Sequence, residues 1–214
     1  MACGQCQGIE HFFGQRQAER QLRHYRKRGA DKTTRVLLAA LRAEGVDGQT
    51  LLDIGGGIGT IQLNLLKAGV TSATDVDAST GYLAIARMEA EREQLAGRIV
   101  YHHGNFVDLA PAVAPAGVVT LDRVICCYHD MSALVGQSAA KATHLYGLVY
   151  PRDNGFTRAV LGLGNLLLRL QRTPFRVFVH SSAAVDALIR QAGLRPRFHR
   201  EVGFWQIAVY VRST

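Results

Sequence analysis

The sequence predicts an α/β domain built on an open sheet, and three observations carry that prediction. The chain has 214 residues, 48% hydrophobic and 20% charged, enough to bury one full core. Short aliphatic and β-branched runs alternate along it with longer stretches of helical period. The third observation is Leu51-Leu-Asp-Ile-Gly-Gly-Gly-Ile-Gly59, where a buried strand (Leu51, Leu52, Ile54) turns through glycines into a helical pattern beginning near Thr60. Glycine lets the backbone approach a ligand closely, and the free N–H groups of a helix start attract an anionic group. A nucleotide-like cofactor is the implied ligand.

Before that stretch, residues 15–28 place Ala18, Leu22 and Tyr25 at helical spacing among charges and end in Arg26-Lys-Arg28-Gly29, basic residues at a helix C-terminus followed by a capping glycine. The segment is expected to be a lid. A second helix over Thr33–Glu44 stops at Gly45 and leads into the first strand. After the glycine loop, Ala73–Asp77 reads as the second strand, with Ser79 the N-cap of a helix holding Tyr82, Leu83, Ile85 and Ala86. Ile99–Tyr101 is a third strand, Val118–Tyr128 contains a fourth, and His144–Tyr150 is a fifth that runs into Pro151. The leucine-rich helix Thr157–Arg172 is read either as a wall for a hydrophobic substrate or as an outer helix of the sheet. Phe175–His180 is extended, Ser181 or Ser182 caps a helix to Ala192, and strand patterns at Arg195–Arg200 and Trp205–Arg212 close the chain.

The glycine spacing narrows the cofactor. Gly55, Gly57 and Gly59 form Gly-x-Gly-x-Gly, whereas the dinucleotide fingerprint has one more residue before its third glycine, so NAD loses ground. Asp77 stands 18 positions after Gly59 at the end of the next strand, where a carboxylate accepts both hydroxyls of a ribose. Asp75 competes for that role, its bland reading being a solvated edge residue.

With Asp53 ahead of the glycines, this stretch resembles motif I of the class I S-adenosylmethionine (SAM) methyltransferases, and Asp77-Ala-Ser79, Gly104-Asn-Phe106 and Leu121-Asp-Arg-Val-Ile-Cys-Cys-Tyr128 follow in that family's order. The resemblance implies a Rossmann-like, seven-stranded, mostly parallel sheet with helices on both faces and a C-terminal antiparallel hairpin. It divides the chain into a lid over residues 1–32 and a SAM-binding domain over residues 33–214. It implies cofactor contacts from Asp53, Gly55, Gly57, Gly59, Asp77, Ala78 and Cys126, with Asn105 facing the adenine amino group and Phe106 packing on the ring. Motif IV, ending in Cys126-Cys127-Tyr128-His129, faces the transferable methyl group. Candidate catalytic residues are His129 as general base, Tyr128 beside it, and Tyr25 closing from the lid; the bland alternative for His129 is a surface histidine at the next helix start. Tyr128, the Phe175–His180 segment and Phe204-Trp205 look most like the magnesium-protoporphyrin O-methyltransferase group. A carboxylate acceptor needs no base, whereas a phenol or amine does.

The expected activity is methylation, most readily O-methylation, of an anionic or aromatic small molecule with SAM as cofactor. Cys3-x-x-Cys6 with His11, and Cys126-Cys127, keep a thiol or metalloid methyltransferase open, although no metal site is assigned. The net charge of +8 is uneven: residues 36–149 carry 7 Lys and Arg against 11 Asp and Glu, and residues 150–214 carry 10 against 3. Such flanks suit an anionic substrate, and they keep a non-catalytic nucleic-acid-binding protein as a third reading. The Asn/Asp-Pro-Pro-Tyr signature of amino-methylating enzymes is missing after the fourth strand, which makes a nucleic-acid partner unfavoured. No apolar run reaches membrane-span length and no signal sequence opens the chain, so a cytoplasmic protein is expected.

Overall fold

A computed structural model describes residues 12–171, 173 and 175–213. Seven strands form one sheet in the order β3-β2-β1-β4-β5-β7-β6. They are β1 (Thr50–Ile54), β2 (Ser72–Asp77), β3 (Ile99–His103), β4 (Ala116–Asp122), β5 (Ala142–Pro151), β6 (Leu194–Val202) and β7 (Trp205–Arg212). The first five pair in parallel, and β7 runs antiparallel to both β5 and β6. This is the Rossmann-like methyltransferase arrangement that the motifs imply, hairpin included. Phe175–His180, though extended, lies outside the sheet.

The helices are α1 (Gln15–Arg28), α2 (Lys32–Ala43), α3 (Thr60–Leu66), α4 (Thr80–Arg92), α5 (Phe106–Leu109), α6 (Met131–Lys141), α7 (Gly155–Leu170) and α8 (Ser182–Gln191). Side chains alternate across a strand, so adjacent residues enter different cores. Leu51, Ala73, Val118 and Leu145 meet Leu37 and Leu41 of α2 and Leu63 of α3 on one face. Leu52, Val76, Val119 and Tyr146 meet Val135 of α6 and Val185 and Ile189 of α8 on the other. α1 packs on α4, where Ala18 and Leu22 close a third cluster with Ile58, Tyr82 and Ile85. The expected N-cap at Ser79 is present, its hydroxyl oxygen accepting from Tyr82 N at 3.2 Å.

The register sets up the site. Leu51 pairs with Ala73 and Val118, and Ala73 with Ile99, giving an apolar row across four strands. Two residues further toward the carboxyl ends, on the same face, the row becomes Tyr101-Asp75-Asp53-Thr120. β6 is the outer strand on the far side; of its nine residues only Leu194 is buried, and Arg195, Pro196, Arg197, His199 and Arg200 are exposed.

Candidate active site

The glycine loop begins where β1 ends. Gly55 N–H donates to Val76 O at 2.8 Å, and Gly55, Gly57 and Gly59 have φ of 66°, 59° and 81°, so the chain reverses through a left-handed region that side chains disfavour. Gly57 N–H donates to Asp77 Oδ2 at 3.0 Å, and Ser79 N–H donates to Asp77 Oδ1 at 2.8 Å. The Asp77 carboxylate thereby ties the glycine loop to the end of β2. Ala78 beside it is half-buried.

Under the loop lies Asp53, 1% exposed. Thr120 Oγ1 donates to its Oδ1 at 2.7 Å and Gln62 Nε2 to its Oδ2 at 3.2 Å. Burial outweighs these bonds and pushes its carboxyl up to about 7. Asp75, 0% exposed, corrects the view of it as a solvated edge residue, because β2 is flanked on both sides and α3 covers this face. Burial and the neighbouring Asp77 and Asp53 charges hold Asp75 well above the ordinary range. A Cβ built on Gly56 would overlap Gln62 Nε2 and come 2.5 Å from Asp75 Oδ1. Motif spacing treats Gly56 as a variable position, yet it is the one pressed against buried polar groups, and Gln62 and Thr120 escape motif reading altogether.

Above the loop, Tyr25, Ala30 and Thr34 face Asp53, Gly55 and Gly57 across a pocket. The Tyr25 hydroxyl accepts from Asn64 Nδ2 at 3.1 Å, which turns it toward α3. Arg26 does not reach into the pocket as a free charge: it makes an ion pair with Glu89, whose side chain is wholly buried and also holds Arg92. Arg28 is exposed. Phe13 O accepts from Ser79 Oγ at 2.7 Å, so the chain preceding α1 reaches the Asp77 loop. Arg123, at a φ of 63°, crosses from the end of β4 to Asp31 at 3.0 Å, and Thr34 Oγ1 donates to Asp122 Oδ2 at 2.5 Å. These bonds anchor the start of α2 to the sheet.

The other sequence candidates gather on the far side of β4. Asn105 Nδ2 donates to the Tyr128 hydroxyl at 3.0 Å, while Asn105 Oδ1 caps α5 through Val107 N. Phe106 is 4% exposed within the core, and Tyr128 is buried beside it. His129 is exposed, its ring 5.2 Å from that of Tyr128, and the helix start next to it is capped by Asp130. Cys126 is buried and Cys127 half-buried, with sulfurs 3.9 Å apart and both directed at Arg123 O. Cys3, Cys6 and His11 lie outside the described residues, among which no three His, Cys, Asp or Glu side chains gather as a metal site.

His180, noticed in the sequence only as a junction residue, fixes this turn: its Nε2 lies 3.0 Å from Ile125 O and 2.9 Å from Tyr128 O. Phe175, 2% exposed, stacks on Phe12 and meets Phe13 edge-on. α7 beyond it buries only Thr157 and leaves Phe156, Leu163, Leu166, Leu167 and Leu170 more than half exposed, so it is no outer helix of the sheet. Its tether is Asn165, whose side chain donates to Val177 O and accepts from Val177 N.

Residues 23–111 match the family described as methyltransferase small domain. No curated protein matches the sequence. Among solved structures, the chain is similar to magnesium protoporphyrin IX methyltransferase from Synechocystis PCC 6803 with bound S-adenosylhomocysteine (SAH), at 20% identity and a TM-score of 0.74, covering 98% of this chain and 100% of that one. It is also similar to an O-methyltransferase family protein from Burkholderia thailandensis (19%, TM-score 0.67, covering 85% of this chain and 56% of that one). A third is an O-methyltransferase family 2 protein from Planctomyces limnophilus in complex with apigenin (16%, TM-score 0.62, covering 87% and 63%). The chain resembles class I SAM-dependent methyltransferases in fold and in its first-half sequence.

Proposed function

We propose that this chain, carrying the class I methyltransferase fold, is a cytoplasmic SAM-dependent methyltransferase that methylates an oxygen of an anionic or aromatic small molecule. The observation that carries the reading is the glycine loop clamped to Asp77 over a buried Asp53. The cradle suits the cofactor: Asp77 stands at the end of β2 beside the glycine loop, where a carboxylate accepts from ribose hydroxyls, and the Gly55–Gly57 turn offers backbone without side chains. Asp53 and Tyr25 line the same pocket, Asp53 as the acid that would pair with the ammonium of the methionine end and Tyr25 as a wall from α1. That the described proteins include one with bound SAH and one with apigenin supports the cofactor and an aromatic acceptor respectively.

When bound, SAM supplies an electrophilic methyl group on a sulfonium. The acceptor's lone pair attacks that carbon as the carbon–sulfur bond breaks, and the bonding pair leaves on sulfur. Such an in-line displacement depends on alignment, which is worth on the order of 7–11 kcal/mol at best. The protein's part is therefore positioning. Tyr128 is held from three sides, by Asn105 on its hydroxyl, His180 on its carbonyl and the core under its ring, which fits it as a wall. His129 is the exposed group beside it and takes the proton where the acceptor is a phenol. The leucine face of α7 bounds the acceptor side. Residues 1–32 are read as the lid and residues 33–214 as the cofactor domain.

Calorimetry tests the reading. Saturable binding of SAM and SAH with none of NAD is expected, followed by methyl transfer to members of a porphyrin, phenol and carboxylate panel; saturable NAD binding with no heat from either methyl cofactor overturns it.

A further inference from the structure

α7 carries its apolar side outward. Phe156, Val160, Leu163, Leu167 and Leu170 follow one another at intervals of four and three residues, so on a helical period they form one stripe. On a helix that packs against a core such a stripe faces inward. Here Leu163 is 60% exposed and Leu170 72%. The chain holds the helix from the other side, where Asn165, opposite the stripe, is bonded to the Val177 backbone. The stripe continues onto the turn between β6 and β7: the Phe204 ring stacks on that of Phe156 with centroids 5.6 Å apart, and Phe204 is itself 43% exposed. Along α7 the ridge is about 20 Å long. Leucines scattered singly over a surface need no explanation, whereas a continuous apolar ridge marks a docking surface.

The charge around the ridge has one sign. Residues 155–176 hold four arginines and no aspartate or glutamate. Arg169 is exposed on the polar side of α7, and Arg158, though it reaches Asp153 at 2.6 Å, keeps a side chain 61% exposed. The three acids of residues 150–214, Asp153, Asp186 and Glu201, are each paired with an arginine already. A second copy of the chain is therefore a poor occupant, because a two-fold contact through α7 brings the same cations together with no acid on either helix to offset them. A surface of anionic lipid fits both sides of the helix. Leucine and phenylalanine enter the boundary between headgroups and acyl chains, and arginines on long stems reach the phosphates. None of the described helices is long and apolar enough to cross a membrane, so α7 can only lie in its surface.

We propose that α7, together with the Phe204 turn, is an amphipathic anchor that docks this protein on an anionic lipid surface. Docking of this kind is independent of the methyl-transfer chemistry, and the leucines that bound the acceptor side then do so from the lipid boundary.

Sedimentation of the full chain with vesicles tests it, using phosphatidylcholine alone and phosphatidylcholine with one quarter phosphatidylglycerol. The wild type is expected to pellet with the anionic vesicles, less with the neutral ones, and to be released by added salt. Leu163→Ser with Leu167→Ser is expected to lower the partition onto anionic vesicles about tenfold or more. The melting temperature should hold, because more than half of each side chain is already in water. Arg169→Glu keeps the ridge and is expected to lower anionic binding about fivefold or more. A wild type that stays in the supernatant, or that binds neutral and anionic vesicles alike, overturns the proposal, as does a folded double-serine protein that pellets like the wild type. A wild type that is dimeric, becomes monomeric with the two serines and ignores vesicles gives the face to a second copy and overturns it too.

Discussion

α3 and α7 are both rich in leucine, yet one is hidden and the other bare. Five of the seven residues of α3 are buried, and its one polar inward group, Gln62, is spent on Asp53. α7 is 16 residues long and buries Thr157 alone. The two segments answer to different demands. The floor of the pocket must hold one geometry, so Asp53 is bound by Thr120 and Gln62 and Gly56 is forced by contact. The segment after β5 has an apolar surface with little of this chain against it, which suits a wall that meets a partner molecule. The family match over residues 23–111 covers the first kind of segment and stops before the second.

One substitution made in both places gives the sharpest contrast. Gly56→Ala drives a methyl into Gln62 and Asp75, and a stability loss of about 1–3 kcal/mol is expected, together with loss of SAH binding. Gly164→Ala in α7 meets nothing within 4 Å and is expected to gain up to about 1 kcal/mol, as alanine does for glycine within a helix. Urea unfolding of both variants checks the signs; a neutral Gly56→Ala breaks the contrast.

Asp77→Ala is expected to weaken SAH binding by about 1–3 kcal/mol in calorimetry, the cost of losing bonds to a charged acceptor. A paired Leu163→Ser, Leu167→Ser change in α7 should leave SAH affinity alone and raise KM for an aromatic acceptor. If that pair changes cofactor affinity instead, α7 is not the separate wall described.

Acidity sharpens the same division, because it acts on the floor. The folded protein keeps the Asp53 proton to about pH 7, whereas an unfolded chain loses it near 3.8. This group's stabilising contribution is therefore greatest below the unfolded value and declines as pH rises from 3.8 to about 7. Cofactor binding has the opposite sign, since an ammonium prefers the carboxylate. SAH affinity is expected to climb up to about tenfold per pH unit below 7 and level off above it. Asp53→Asn should flatten that slope, and a wild-type profile already flat from about pH 5.5 to about pH 8 places the ammonium elsewhere.

The smallest effect concerns α1. Tyr25→Phe removes the bond from Asn64 and is expected to cost about 0.5–1.5 kcal/mol. Hydrogen exchange in residues 15–28 should slow when SAH is added; equal exchange with and without ligand would leave α1 as fixed scaffold.

The strand runs, the glycine loop, the Ser79 cap and the terminal hairpin were legible because each rests on neighbouring residues: periodicity, a turn, a spacing. The polar row was not. Tyr101, Asp75, Asp53 and Thr120 are scattered over four strands, and only the sheet register makes them neighbours. The same holds for Arg26 with Glu89, where local pattern offered a basic helix end and tertiary packing supplied a buried carboxylate. The exposure of α7 was equally hidden, since a leucine-rich period reads alike for a core helix and a bare one.

The outer strand β6 gives the basic tail a second meaning. An unpaired strand edge is a template on which another chain can add a strand of its own. Here that edge carries Arg195, Arg197 and Arg200 around Pro196, which has no N–H to offer, and Arg197 is tied back to Glu44 at 2.9 Å. Part of the positive charge that looked like bait for an anionic substrate thus lies on a sheet edge, where charged side chains and proline disfavour the addition of a further strand. Neutralising it, for instance with Pro196→Val, Arg197→Val and Arg200→Thr together, should leave SAH binding unchanged and increase fibril formation on storage relative to the wild type, as read by thioflavin fluorescence.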